Sequence, residues 1–193
     1  MSMKRPRSAF TLVETLVAIT ILTLAVAGPI YVADRAIIAA RLAENQLIAS
    51  YLAQEGVEYA RHMRDNEYLS AFHAGGTSVS QSAWAGFLSG NDAYAITQCE
   101  SSACTLDPTK PAGTGSQYAL NPCSGESCTP LYLGSSGIYQ QSQSGGATRT
   151  PFTRTVQAVF VSSTDERIVS TVSWDFHGVP YVVTVTDHLT PWQ

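Results

Sequence analysis

Charge is scarce in this sequence and unevenly placed. Charged residues make up 13% of the 193 residues, about half the usual share of a globular protein. The formal net charge is −4, and three of the eleven basic residues precede residue 10. No basic stripe follows them, although phosphate binding relies on clustered Lys and Arg. The composition therefore argues against direct nucleic-acid binding and favours a membrane segment or a polar, uncharged exterior.

Motifs of catalysis and metal binding are missing as well. The sequence has no HExxH pair, no GxSxG elbow, no P-loop and no GxGxxG turn. The four histidines are not spaced as metal ligands; they are His62, His73, His177 and His188. We therefore expect no enzyme, no metal and no cofactor.

Cysteine occurs only in one stretch rich in Ser, Gly and Pro. The four residues are Cys99, Cys104, Cys123 and Cys128. An even count in such a stretch favours disulfides in an oxidising compartment, with zinc or free thiols as alternatives. Zinc sites more often have two residues between paired cysteines, whereas here there are four. Four cysteines allow three connectivities; the sequence does not choose between local and crosslinked pairing, and we expect the local one.

A long uncharged run lies near the N-terminus. Residues 15–33, TLVAITILTLAVAGPIYVA, contain no charge, and as a helix they would extend about 28 Å, close to the thickness of a bilayer core. Lys4, Arg5 and Arg7 precede the run. The positive-inside rule then keeps the N-terminus in the cytoplasm and sends the C-terminal part outward. We expect a single-pass protein of the cytoplasmic membrane.

Two simpler interpretations of this segment compete. A secretory signal peptide would end in small residues after the apolar run. Ala25-Val26-Ala27 could mimic such a site, but Pro29 lies two residues beyond it and the run continues into helix-forming sequence. A plain signal anchor explains the length and the basic flank, but it does not explain Glu14.

Glu14 stands at the start of the apolar segment, four residues after Phe10. A carboxylate in lipid costs about 2–3 kcal/mol or more near the middle of the membrane, so it needs a partner. A cut before Phe10 would create an α-amine at a suitable depth, and in a packed filament that amine could pair with Glu14 of a neighbour. We interpret Glu14 as an assembly residue; the alternative is a carboxylate that reaches the membrane interface.

The sequence KRPRSA-FTLVETLVAITIL resembles the cleavage and methylation signal of type IV prepilins and type II secretion pseudopilins. This resemblance implies that a prepilin peptidase cuts between Ala9 and Phe10 and methylates the amine of Phe10. It also implies other pilin or pseudopilin subunits as partners, with the inner membrane before assembly and a periplasmic or extracellular filament afterwards. The family usually has glycine before the cut, so with Ala9 we expect slower cleavage.

A second segment, YLAQEGVEYARHMRDNEYL, is similar to a stretch common in minor pilin-like proteins. Together the two resemblances imply a structural subunit, a minor pilin or pseudopilin of a type IV pilus-like or type II secretion-like filament. A membrane-anchored extracytoplasmic binding or adhesin module is the alternative function. In that case the loops around the cysteines would engage a surface or ligand.

One long helix is predicted from about residue 10 to about residue 65. Gly28-Pro29 predicts a kink, because proline removes a helical hydrogen bond and clashes with the preceding turn. The alternative is a proline that the membrane helix tolerates. Further on, apolar residues recur on one face, and Gly56 predicts close packing against a sheet. Arg61 has Glu58 and Asp65 within reach on the solvent side.

The C-terminal third has the strongest β pattern. Residues 153–162, 167–176 and 181–189 alternate and have short links, which predicts an antiparallel meander packed on the helix. A strand is also predicted at 94–98 and a hairpin at LYLGSSGIYQQ. The fold class is α+β, a long N-terminal helix on a C-terminal antiparallel sheet, which is the pilin-like architecture. The predicted parts are a leader (1–9), a membrane and filament helix (10–33), an amphipathic continuation (34–66) and a β-rich domain (67–193) with a cysteine-containing loop (99–128).

Overall fold

A computed structural model describes residues 11–89, 95–115 and 117–192, except for the side chain of residue 126. The chain forms two compact units, with the boundary between Asn45 and Gln46. Helix α1 (Leu12–Ala74) contributes to both units. It is longer than predicted, because nothing after Asp65 stops it before Gly75. Gly75 has a φ of 72° and donates its N–H to the Phe72 carbonyl, which is a common way for a helix to end.

In the C-terminal unit, the predicted apolar stripe of α1 is confirmed. Its buried residues are Ala49, Leu52, Ala53, Gly56, Val57, Ala60 and Met63. They pack against the inner face of the sheet in two clusters of buried side chains. A second helix, α2 (Val79–Ser89), buries Trp84 and Phe87 in the first of these clusters.

Within the described residues, eight strands follow, paired antiparallel in two sheets. The larger sheet has the order β2-β1-β6-β7-β8, and the smaller has the order β4-β3-β5. The bounds are β1 Cys104–Leu106, β2 Leu120–Pro122, β3 Tyr132–Leu133, β4 Tyr139–Gln140, β5 Thr148–Arg149, β6 Thr153–Ser162, β7 Asp165–Phe176 and β8 Val179–Leu189.

The predicted meander is confirmed as β6, β7 and β8, and the predicted hairpin as β3 and β4. Along β7, Ile168, Val172 and Trp174 are buried as the alternation requires. Phe160 is an exception: the alternation predicts it on the inner face, but 62% of it is exposed, and the register of β6 shifts between it and Ser162. The bulge ends the regular alternation there.

The strand predicted at 94–98 is wrong. Residue 94 lies outside the described residues, and Ile96–Cys99 form a short 3₁₀ helix whose first turn is closed by the Gln98 N–H on the Ala95 carbonyl. A short apolar run does not distinguish strand from helix by its periodicity. Tertiary packing decided the outcome, since Ile96 and Cys99 are fully buried in the first core cluster.

Both disulfides are local, as expected: Cys99 pairs with Cys104, and Cys123 pairs with Cys128. Each closes a loop with a sequence separation of 5. The first bond ties the 3₁₀ helix to β1, and the second closes the turn that follows β2.

Arg61 makes one of its two predicted ion pairs. It contacts Glu58 on the helix, but its other partner is Asp187 of β8, at 2.9 Å, instead of Asp65. Asp65 accepts instead from Arg64 and from the Trp192 indole N–H. The prediction for Asp65 was wrong because helical spacing carries no information about strands that pack beside the helix.

Candidate functional site: the N-terminal helix

The start of α1 is fixed by Thr11. Its hydroxyl accepts the Glu14 backbone N–H at 3.3 Å, and its carbonyl accepts the Thr15 N–H at 3.2 Å. Thr11 is therefore the N-cap residue, and Glu14 lies in the first turn, where a carboxylate faces the positive end of the helix dipole. Sequence reasoning did not assign this role to Thr11. The signal was present as T-x-x-E before an apolar run.

Three threonine hydroxyls inside the apolar segment are satisfied by the helix itself. Those of Thr15, Thr20 and Thr23 donate to carbonyls three residues earlier, at 2.8–2.9 Å. Lipid offers no partner for a polar group. The hydroxyls are thus compatible with a helix surface that contacts lipid tails or neighbouring helices.

The apolar side chains of this segment are uncovered. Every described residue from 11 to 37 is exposed, and Leu12 and Leu24 expose three-quarters of their surface or more. By length and composition, the helix is able to cross a membrane. Such a surface is unfavourable in water, and it fits an anchor in the inner membrane.

Glu14 is exposed, and it has no ion-pair partner within the described residues. The next basic residue along the helix is Arg35, about 31 Å further along the axis, where its guanidinium contacts the Tyr31 ring and hydroxyl. The described chain thus places a carboxylate at the start of an apolar helix and brings no cation to it.

The other predicted site residues do not contribute to the arrangement around Glu14. The leader, Ala9 and Phe10 lie outside the described residues, so cleavage and methylation stay predictions. α1 is continuous through Gly28 and Pro29, and the kink stays a prediction. No group of three or more His, Cys, Asp or Glu side chains suited to a metal occurs in the described ranges.

Comparison with known proteins addresses the N-terminal segment alone. Residues 4–28 match the model of the prokaryotic N-terminal methylation motif. No curated protein and no solved structure matches the chain. The matched residues include the basic flank, Phe10, Glu14 and the first half of the apolar run, and they support a type IV pilin-like subunit. The chain thus carries a type IV pilin-like prepilin signal, and it joins this signal to an α+β fold of pilin-like architecture.

Proposed function

We propose that this protein is a minor pilin or pseudopilin, a structural subunit of a type IV pilus-like or type II secretion-like filament. The observation that carries the proposal is Glu14. It is an exposed carboxylate in the first turn of an uncovered apolar helix, with no cation near it in the described chain. A carboxylate in that environment needs a positive partner from elsewhere.

Processing by a prepilin peptidase would create that partner. A cut between Ala9 and Phe10 leaves an α-amine four residues before Glu14, and methylation of the amine keeps its charge. Removal of the leader also leaves eight basic residues against fifteen acidic ones, a net charge of about −7. The N-terminus lies in the cytoplasm and the β-rich domain lies outside the cytoplasm before assembly.

In the filament, the methylated amine of one subunit pairs with Glu14 of its neighbour. The two charges neutralise each other where neither is stable alone in an apolar environment. Apolar side chains around them, exposed in the single chain, pack against those of other subunits. The role of the protein is structural.

Mass spectrometry of the mature protein tests the processing step. Co-expression with an active prepilin peptidase is expected to give a chain that begins at N-methylated Phe10. Ala9→Gly, which restores the residue usual in the family, should be processed faster. A chain that still begins at Met1 or Met3 beside an active peptidase contradicts the proposal.

Assembly is tested by Glu14→Val, with Glu44→Val as the matched control because Glu44 is also an exposed glutamate of α1. Glu14→Val should remain in the membrane but be lost from sheared filaments, whereas Glu44→Val should assemble. If Glu14→Val assembles as well as the wild type, Glu14 is not an assembly residue.

The alternative, a membrane-anchored binding or adhesin module, is favoured by the polar cavity between the disulfide-bonded loops. Glu14→Val should not change the function of such a module, because the module would not assemble through Glu14. A minor subunit that displays a binding domain would show both properties.

A further inference from the structure

Strand β8 forms an open edge of the larger sheet. It pairs with β7 along its whole length, from Phe176 opposite Val179 to Glu166 opposite Leu189, without a shift in register. Among the described residues, no strand pairs with its other side. Backbone N–H and C=O groups alternate in direction along a strand, so about half of those in β8 point away from β7. This edge is therefore a template on which another strand can add.

β8 lacks the features with which proteins usually protect such an edge. Those features are short strands, bulges, and lysine or proline along the strand. β8 has eleven residues, contains no lysine or arginine, and has its one proline, Pro180, as its second residue. Its middle, residues 181–186, reads YVVTVT. A segment of high β-propensity without charge, glycine or proline is the type that pairs most readily with other strands.

The other open edges of the described sheets are too short to cover β8. At the opposite end of the larger sheet, β2 has three residues. The edge strands of the smaller sheet, β4 and β5, have two residues each. Among these edges, only β8 itself matches β8 in length, which favours a second copy of the same strand as its partner.

We propose that two copies of this protein form a dimer in which their β8 strands pair antiparallel. The two-fold axis passes through Thr184, perpendicular to the sheet. Thr184 is the midpoint of β8, so this register pairs all eleven residues. Such an axis also keeps exposed side chains, among them Val182 and Thr184, beside exposed side chains of the partner. The two larger sheets then form one continuous sheet.

The uncharged side chains of β8 suit this register. Thr155 lies opposite Thr171, and Thr171 lies opposite Thr184, with the last two hydroxyl oxygens 3.3 Å apart. Pairing about Thr184 extends this row of threonines into the second copy. On the other face of the sheet, Val183 lies opposite the partner's Val185. Hydrogen-bonded threonine pairs and β-branched neighbours across strands both stabilise a sheet.

Charge does not oppose the pairing. The one carboxylate of β8 belongs to Asp187, which already pairs with Arg61 of its own chain at 2.9 Å. In the proposed register Asp187 lies opposite the partner's Tyr181, and His188 lies opposite the partner's Pro180. Like charges directly opposite each other destabilise a strand pair, and this register places none opposite another.

This contact is distinct from filament assembly. A two-fold contact is closed and joins two copies only, whereas a filament needs a contact that repeats. The strand that forms it lies in the C-terminal unit, whereas Glu14 lies in the other unit. Glu14→Val should therefore leave the dimer unchanged. Failure of the assembly proposal and failure of the dimer proposal are thus separate results.

Sedimentation of the full-length protein in detergent, over a range of concentrations, tests the inference. We expect a monomer–dimer equilibrium with a dissociation constant below about 100 μM. Thr184→Lys places two ammonium groups opposite each other at the axis and should weaken the dimer by about ten-fold or more. Thr171→Lys is the matched control: it lies on the same face one strand further in, so its two copies are about 14 Å apart. It should dimerise as the wild type does.

A mixture of two variants tests the register. Thr184→Lys and Thr184→Glu should each be monomeric alone, whereas the mixture should form a heterodimer, because opposite charges then meet at the axis. Thermal unfolding of each variant checks that the domain is folded. If either is unfolded, cysteine cross-linking decides the result.

For cross-linking, Thr184→Cys and Thr171→Cys are oxidised with copper–phenanthroline. Opposite α-carbons of an antiparallel pair lie about 4.5–5.5 Å apart, within the range that a disulfide spans. Thr184→Cys should therefore form a covalent dimer, and Thr171→Cys should not.

The proposal is overturned if the wild type stays monomeric up to about 1 mM. It is also overturned if folded Thr184→Lys dimerises as tightly as Thr171→Lys, because the dimer then uses another surface. Equal cross-linking of Thr184→Cys and Thr171→Cys would exclude the register. Species larger than a dimer that are lost in Thr184→Lys would contradict a closed two-fold contact.

Discussion

Gly56 of α1 lies directly against Ser170 of β7. A β-carbon on Gly56 would overlap the Ser170 hydroxyl and would come within 3.0 Å of the Ser170 β-carbon and of a Val156 methyl. The sequence predicted this close approach from a glycine inside the amphipathic part of the helix. The contact sets how closely the helix packs on the sheet.

Gly56→Ala should therefore destabilise the C-terminal domain by about 1–2 kcal/mol. Overpacking costs about 1–3 kcal/mol, and the better helix propensity of alanine recovers up to about 1 kcal/mol. Urea unfolding monitored by tryptophan fluorescence measures the difference. Gly28→Ala is the control, because a β-carbon on Gly28 would meet nothing within 4 Å, and it should leave the unfolding of this domain unchanged.

Arg154 is fully buried and fastens the helix to two strands. Its guanidinium pairs with Glu55, and it donates to the Leu52 carbonyl at 3.3 Å and to the Leu106 carbonyl at 2.9 Å. Burial lowers the pKa of this guanidinium, and the nearby Glu55 and Asp107 carboxylates oppose that effect.

Glu55→Gln should therefore destabilise the domain by about 3 kcal/mol, because it leaves a buried cation without its carboxylate partner. Arg154→Met should cost less, since 42% of the Glu55 side chain is exposed and water can solvate it. Glu58→Gln is the control; its surface pair with Arg61 contributes less than about 1 kcal/mol. Chemical denaturation ranks the three variants by their free energy of unfolding. A Glu55→Gln variant as stable as Glu58→Gln would contradict this account.

Glu166 makes stability depend on pH. Its side chain is fully buried and both carboxylate oxygens lack hydrogen-bond partners among the described residues. Burial raises the pKa of Glu166 from 4.5 to about 7, and the nearby Glu100 and Asp165 carboxylates add to this effect.

In the unfolded chain Glu166 loses its proton near pH 4.5, whereas in the folded chain it keeps the proton to about pH 7. The contribution of Glu166 to the free energy of unfolding is thus fully present below pH 4.5. It decreases as the pH rises from 4.5 to about 7, and above about pH 7 it does not change further. Glu166→Gln should remove this dependence and be more stable than the wild type at pH 8, by up to about 3 kcal/mol. Chemical denaturation of the two proteins from pH 4 to 8 measures this difference in stability. Equal pH dependence in the two proteins would show that Glu166 is not the cause.

The two disulfides should differ in their resistance to reductant. Cys99 and Cys104 are fully buried in the core, whereas Cys128 is partly exposed. A thiolate reductant must reach a sulfur atom to attack it, so the Cys123–Cys128 bond should open first. Timed alkylation and peptide mass spectrometry under native conditions record the order, and earlier labelling of Cys99 or Cys104 would contradict it.

The sequence by itself determined the features that are local. A charge-free run and a prepilin-type signal each occupy adjacent residues, and the alternation in 153–189 reports which side of a strand is buried. The apolar stripe of α1 and the pairing of neighbouring cysteines are also local features, because each involves residues close together in the sequence.

Tertiary structure decided what depends on partners distant in sequence. Arg154 meets Glu55 across 99 positions, and Arg61 meets Asp187 across 126; no spacing rule links such residues. The polar cavity between the disulfide-bonded loops arises in the same way, from segments that only the fold and the disulfides bring together. Ile96–Cys99 became a 3₁₀ helix because burial of Ile96 and Cys99 in the core outweighs local propensity.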